Sequence, residues 1–139
     1  MKSSSDVPDS FRRSLAGVDY TSPVCKINVA LDKLPNFLAD PNRKDNTVMP
    51  HHKATIHLNC ERTGMIEEAY QDAKAGQYSR TPMIEMTLPT ALDPSIAPDG
   101  HHVCLLFTQY APYTLAHGRT WDAQTKEEYA NVVFDSIER

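Results

Sequence analysis

The chain has 139 residues, 40% of them hydrophobic and 23% charged, and a formal net charge of −4. This length suits one domain able to bury about 68% of the surface its unfolded chain exposes, and the mild acidity argues against a nucleic-acid partner, which would usually demand a basic face. The three cysteines, Cys25, Cys60 and Cys104, are widely spaced and form no CxxC pair, so a reducing intracellular setting is expected and a disulfide framework is not. No run approaches the roughly 20 apolar residues of a membrane helix. The polar opening Met1–Asp6 leads into no apolar stretch, so no signal peptide is expected.

Residues 1–9, rich in serine and containing Pro8, are expected to be a disordered or linker segment, leaving 10–139 as a single domain. Ser10 is placed to cap a short helix over 11–16 that Gly17 ends. After a turn at Thr21-Ser22-Pro23, Cys25, Ile27, Val29 and Leu31 alternate with Lys26, Asn28 and Ala30, which predicts a half-exposed strand. The apolar island Leu34–Leu38 predicts one helical turn, and 40–46 a mobile loop. Ala54, Ile56, Leu58 and Cys60 alternate with polar residues and predict a second strand.

Ile66, Ala69, Tyr70 and Ala73 lie at helical spacing, predicting a helix over 65–75 capped by Thr63 and stopped by Gly76. The third strand is expected over 83–88, with Ile84, Met86 and Leu88 on one face. Pro89, Pro94 and Pro98 then argue against regular structure up to the Asp99-Gly100 turn. Val103–Thr108 begins apolar on both faces, which predicts a central strand. Thr125 and Glu128 form a capping box for a helix from about Lys126, with Tyr129, Val132, Val133 and Ile137 as its buried stripe. That helix reaches Arg139 without a stop signal, as expected of a chain cut within a larger protein. The pattern predicts an α+β fold: a mixed, mostly antiparallel sheet of about four strands with helices packed on one face.

The five glycines are nowhere closer than twelve residues. This excludes GxGxxG and P-loop cradles, which need glycines close together so that backbone can approach phosphate. His51-His52 and His101-His102 lack the spacing of a metal motif, and the expectation is solvated loop histidines with no metal. Cys60 and Cys104 sit in predicted strands as small buried residues, so thiolate catalysis is not expected. No GxSxG elbow is present. No catalytic residue is assigned. The end of the fourth strand, Phe107–Tyr113, pairs aromatics with an amide. Gln109, Tyr110 and Tyr113 are therefore candidate substrate-side or domain-interface residues. The alternative is that the tyrosines only cover the end of the sheet.

The stretch Ser22–Pro35, together with His51-His52, Ile56–Glu61, Leu92–Pro98, Leu106–Ala116 and Trp121-Asp122, resembles the phytoene-dehydrogenase-like flavoproteins, closest to an animal member. The resemblance runs from about Phe11 to Arg139. It implies a parent FAD-dependent oxidoreductase acting on a small-molecule substrate. This chain would match the inserted substrate domain, with the FAD-domain segments absent from both sides. The resemblance further implies no cofactor bound by this chain alone, no turnover alone, and a mitochondrial location like that of the animal member. A second expectation, from the residues themselves, is a non-catalytic interaction module that self-associates through exposed apolar faces.

Overall fold

The computed structural model describes residues 7–18, 22–45 and 47–138. The alternating segments form four strands: β1 (Val24–Leu31), β2 (Ile56–Leu58), β3 (Met83–Thr87) and β4 (His102–Gln109). They make one sheet in the order β1-β4-β3-β2, with every neighbouring pair antiparallel. The α+β class holds, and the sheet is antiparallel throughout rather than mixed. β4 is central, as its apolar sequence requires.

Leu106 stands opposite Ile27 on one side and Met86 on the other. Because side chains alternate, Cys25, Ile27, Val29, Cys104, Leu106, Ile84 and Met86 share one face. That face is the core, and helix α3 (Ala123–Ile137) adds Tyr129 and Val133 to it. The opposite face carries Lys26, Asn28, Glu85 and Phe107, the last 39% exposed.

Helix α1 (Asp9–Ala16) starts before the expected cap. Pro8 takes the N-cap position and Ser10 lies inside the helix. Asp9 in the first turn suits the helix dipole, and no residue of α1 is buried. Residues 1–6 of the expected linker, Thr21 of the expected turn, Asn46 of the expected loop and Arg139 lie outside the described residues. The island Leu34–Leu38 forms no helical turn. Phe37 bridges to Asp40 instead, because the Asn36 side chain accepts the Asn42 N–H at 2.7 Å and the Asn42 amide donates to the Leu34 carbonyl at 3.3 Å. The second strand is shorter than its alternation suggests, since Pro50–Lys53 winds into a 3-10 turn just before it. Pro89–Ala91 and Pro94–Ile96 are further 3-10 turns where no regular structure is expected. Proline is tolerated at a first helical position because its missing N–H would have no partner there.

Arg62 occupies the N-cap position of helix α2 (Thr63–Lys74) without a side-chain cap bond, which makes Thr63 the first residue of the helix. Its end closes as a Schellman motif: the Gly76 N–H donates to the Ala73 carbonyl and the Gln77 N–H to the Asp72 carbonyl, both at 2.9 Å. Gly76 has φ +74°, and a Cβ there would lie 2.6 Å from the Ala116 Cβ. Both facts require glycine.

Helix α3 begins three residues before the expected start, because Asp122 is its N-cap. The Asp122 carboxylate accepts the Thr125 N–H at 2.8 Å, so Thr125 receives a cap instead of supplying one. The helix ends at Ile137, with Glu138 as its C-cap. Asp122→Ala is expected to lower the thermal midpoint by a few degrees, and Asp122→Ser to restore most of it. Circular dichroism melts check this, and equal melts for the wild-type and alanine proteins would refute the assignment.

Candidate functional site

Beyond β4 the backbone is tied on two sides. The Ser79 N–H donates to the Tyr110 carbonyl at 2.9 Å, and the Ala111 N–H to the Pro23 carbonyl at 2.7 Å. The Trp121 indole N–H donates to the Pro112 carbonyl at 2.9 Å. These bonds hold Tyr110 against Tyr70 of α2, edge to face with centroids 5.8 Å apart. A groove of about 520 Å³ opens there, walled by Tyr70, Ala73, Tyr110, Pro112 and Tyr113. Tyr113, 75% exposed, also walls a second groove of about 620 Å³ between β1 and α3.

Tyr110 and Tyr113 are thus brought together, and Gln109 is not. Gln109 pairs with Val24 and Met83 in the sheet. Alternation puts its side chain on the Phe107 face, and it lines neither groove. Tyr70 was not a candidate, because its spacing fits the buried stripe of α2, yet it is 45% exposed. Trp121 and Lys126 in the larger groove carry no local pattern that singles them out.

At the larger groove lies an aromatic cluster, of which Trp121 and Tyr129 line the groove itself. Tyr129 packs against Tyr78 and Trp121, with centroids 5.2 and 5.7 Å away. The Tyr129 hydroxyl donates to Thr108 Oγ1 at 2.8 Å, and Thr108 donates to the Cys25 carbonyl at 2.8 Å. Burial raises the Tyr129 phenol well above its ordinary range, so it remains a protonated donor. At the rim, Arg119 lies over the Tyr78 ring at 5.3 Å and pairs with Glu128 at 2.7 Å.

Two of the three thiols, Cys25 and Cys104, are poor nucleophiles. Burial pushes Cys104 up to about 11. It also raises Cys25, against a smaller opposing pull from Lys126. A protonated thiol does not attack. The histidines depart from expectation at one position. His52, expected to be solvated, is fully buried. Its Nδ1 accepts the Met49 N–H at 3.1 Å, and its Nε2 lies 3.1 Å from both the Pro35 carbonyl and His51 Nε2. Among the described residues, no three His, Cys, Asp or Glu side chains are placed to hold a metal ion. No described helix is long and apolar enough to cross a membrane.

The chain is 52% identical over 132 residues to "Pyridine nucleotide-disulfide oxidoreductase domain-containing protein 2" of Rattus norvegicus, and equally to the Mus musculus protein of that name. It is similar to a fragment of that protein. The match covers 95% of this chain and 23% of either relative, so the chain spans about a quarter of their length. The resemblance to an animal oxidoreductase-domain protein is therefore borne out. No family model matches the chain, and no solved structure does.

The chain's own residues do not fit the pyrophosphate of a dinucleotide. Gly76 is packed against Ala116, while Gly100 and Gly118 occupy separate turns with open space around them. No two glycines share a turn from strand to helix, so nothing here repeats the close backbone approach such a group needs.

Proposed function

We propose that this chain is the substrate-side part of a FAD-dependent oxidoreductase of the phytoene-dehydrogenase-like kind, without turnover of its own. The observation that carries this is 52% identity across 95% of the chain to a relative of which it spans only 23%. The glycine-poor sequence supports it, because flavin binding must then reside elsewhere in the longer polypeptide. There the flavin supplies the hydride chemistry, while the protein shapes and orients the substrate. In this reading the groove at Tyr70, Tyr110 and Tyr113 faces a small-molecule substrate or the flavin-bearing part. It is mostly apolar with a few hydroxyl handles, as such sites are. Gln109 serves as an interface residue on the other sheet face. A mitochondrial location goes with this parentage, and fractionation of tagged protein would check it.

Mixing the purified chain with FAD is expected to leave flavin fluorescence unquenched and the desalted protein colourless. A stoichiometric yellow protein would overturn the proposal. Co-expression with the remaining portions of the rat relative is expected to yield a flavin-containing complex that retains this chain.

A further inference from the structure

The two edges of the sheet differ. β2 pairs over only three residues, and two residues separate it from the proline-led 3-10 turn before it. That is a blunted edge of the kind that discourages further pairing. β1 pairs with β4 over eight consecutive residues without a bulge. Among the described residues, no strand pairs with its outer side. Within β1 there is no proline, and Lys26 is its one charged residue. Its outward N–H and C=O groups therefore form a long, regular row, a ready template for pairing with another strand.

The larger groove runs along this same edge. Its floor is five consecutive β1 residues, Val24 to Asn28, and its far wall is Ala123, Lys126, Glu127 and Ala130 of α3. The small Ala123 and Ala130 leave space between the stems of Lys126 and Glu127, whose charged ends suit the rim. A strand about 4.8 Å from β1 would point alternate side chains into it.

We propose that the outer edge of β1 receives an extended strand from the remainder of the longer polypeptide, with alternate apolar side chains filling the groove beside α3. This rests on the reading of the chain as part of a larger enzyme. The relatives leave more than three quarters of their length outside the match, so the source of the strand is at hand. Main-chain hydrogen bonds supply the affinity, and the groove supplies the register.

The test uses overlapping peptides tiled across the rat relative outside the matched segment. They are titrated into this chain while backbone hydrogen exchange is followed. One overlapping set is expected to bind and to slow exchange of β1 amides by about tenfold or more, leaving β2 unchanged. Asn28→Pro is expected to abolish the effect. Because proline can also weaken β1 against β4, Ala123→Trp provides a second variant. This exposed rim position narrows the groove without touching the sheet, and at least a tenfold loss of peptide affinity is expected. Peptides that bind without protecting β1 would overturn the inference, as would dimerisation of this chain through β1 in sedimentation. If the co-expressed flavin-bearing portion assembles with the chain while β1 stays unprotected, the inference falls and the enzyme reading stands. If neither the peptides nor that portion associates, both fall.

Discussion

Tyr129→Ala is expected to reduce the unfolding free energy by about 3–5 kcal/mol, the range for removing a buried aromatic. For a domain whose total stability is about 5–15 kcal/mol, that change brings the fold near its limit. The ring is only 1% exposed, and it joins α3 to the sheet between Tyr78 and Trp121. Its loss would leave a cavity beneath the larger groove, which Tyr129 lines. Tyr129→Phe isolates the hydroxyl. Thr108 keeps its donation to the Cys25 carbonyl, so only one incoming bond disappears, at a cost of about 1 kcal/mol. Urea unfolding of the three proteins measures both values. If phenylalanine costs as much as alanine, the hydroxyl network and not the packing dominates. The phenol adds a pH signature. Its folded-state value lies above the unfolded one, so its contribution is complete below the ordinary phenol range of about 10 and is lost as pH rises through the folded value. The phenylalanine variant should show a smaller alkaline loss, the residue coming from the buried thiols of Cys104 and Cys25.

The sheet was legible because three of its strands carry unambiguous alternation or a doubly apolar run, and the periodicity of Ile84, Met86 and Leu88 maps directly onto buried positions. Helix starts were less so. Ser10, Thr63 and Thr125 are all competent caps, yet Pro8, Arg62 and Asp122 occupy the positions. Local propensity offers several adjacent solutions, and packing chooses: Thr125 is buried in the first turn of α3, which leaves Asp122 as the outward residue. The separation of Gln109 from Tyr110 follows from strand parity, since residues next to Thr108 must face away from it. The contact of Tyr70 with Tyr110 joins segments forty residues apart through the turn at Gly76, and no local pattern encodes such a meeting. His52 was hidden for a related reason. A histidine two residues after Pro50 looks like part of a surface turn until Pro35, Met49 and His51 close around it.

The second large effect concerns His52. Its Nδ1 accepts the Met49 N–H, so the neutral ring must carry its proton on Nε2. That proton points at the Pro35 carbonyl and at His51 Nε2. His51 Nε2 is then an acceptor, and its own proton lies on Nδ1, donated to Asp40 at 3.0 Å. The chain of bonds works only with the His52 ring neutral. A proton added to His52 Nδ1 would confront the Met49 N–H. Burial is the main cause holding His52 below its ordinary value. The Pro35 carbonyl opposes it, His51 and His102 reinforce it, and Asp40 acts weakly against it. Since the folded-state value is the lower one, the unfolded chain binds the proton first as pH falls. The contribution is therefore complete above the ordinary histidine value of about 6.5 and is lost progressively below it. Urea midpoints are expected to fall between about pH 8 and about pH 5. His52→Leu is expected to remove most of that slope and to cost about 2–4 kcal/mol at neutral pH, because the Met49 N–H and the Pro35 carbonyl would lose their buried partner. A variant with the wild-type slope would show that His52 does not carry the pH dependence, and that the buried ring is only a packing element between the Leu34–Asp40 turn and the strand that follows.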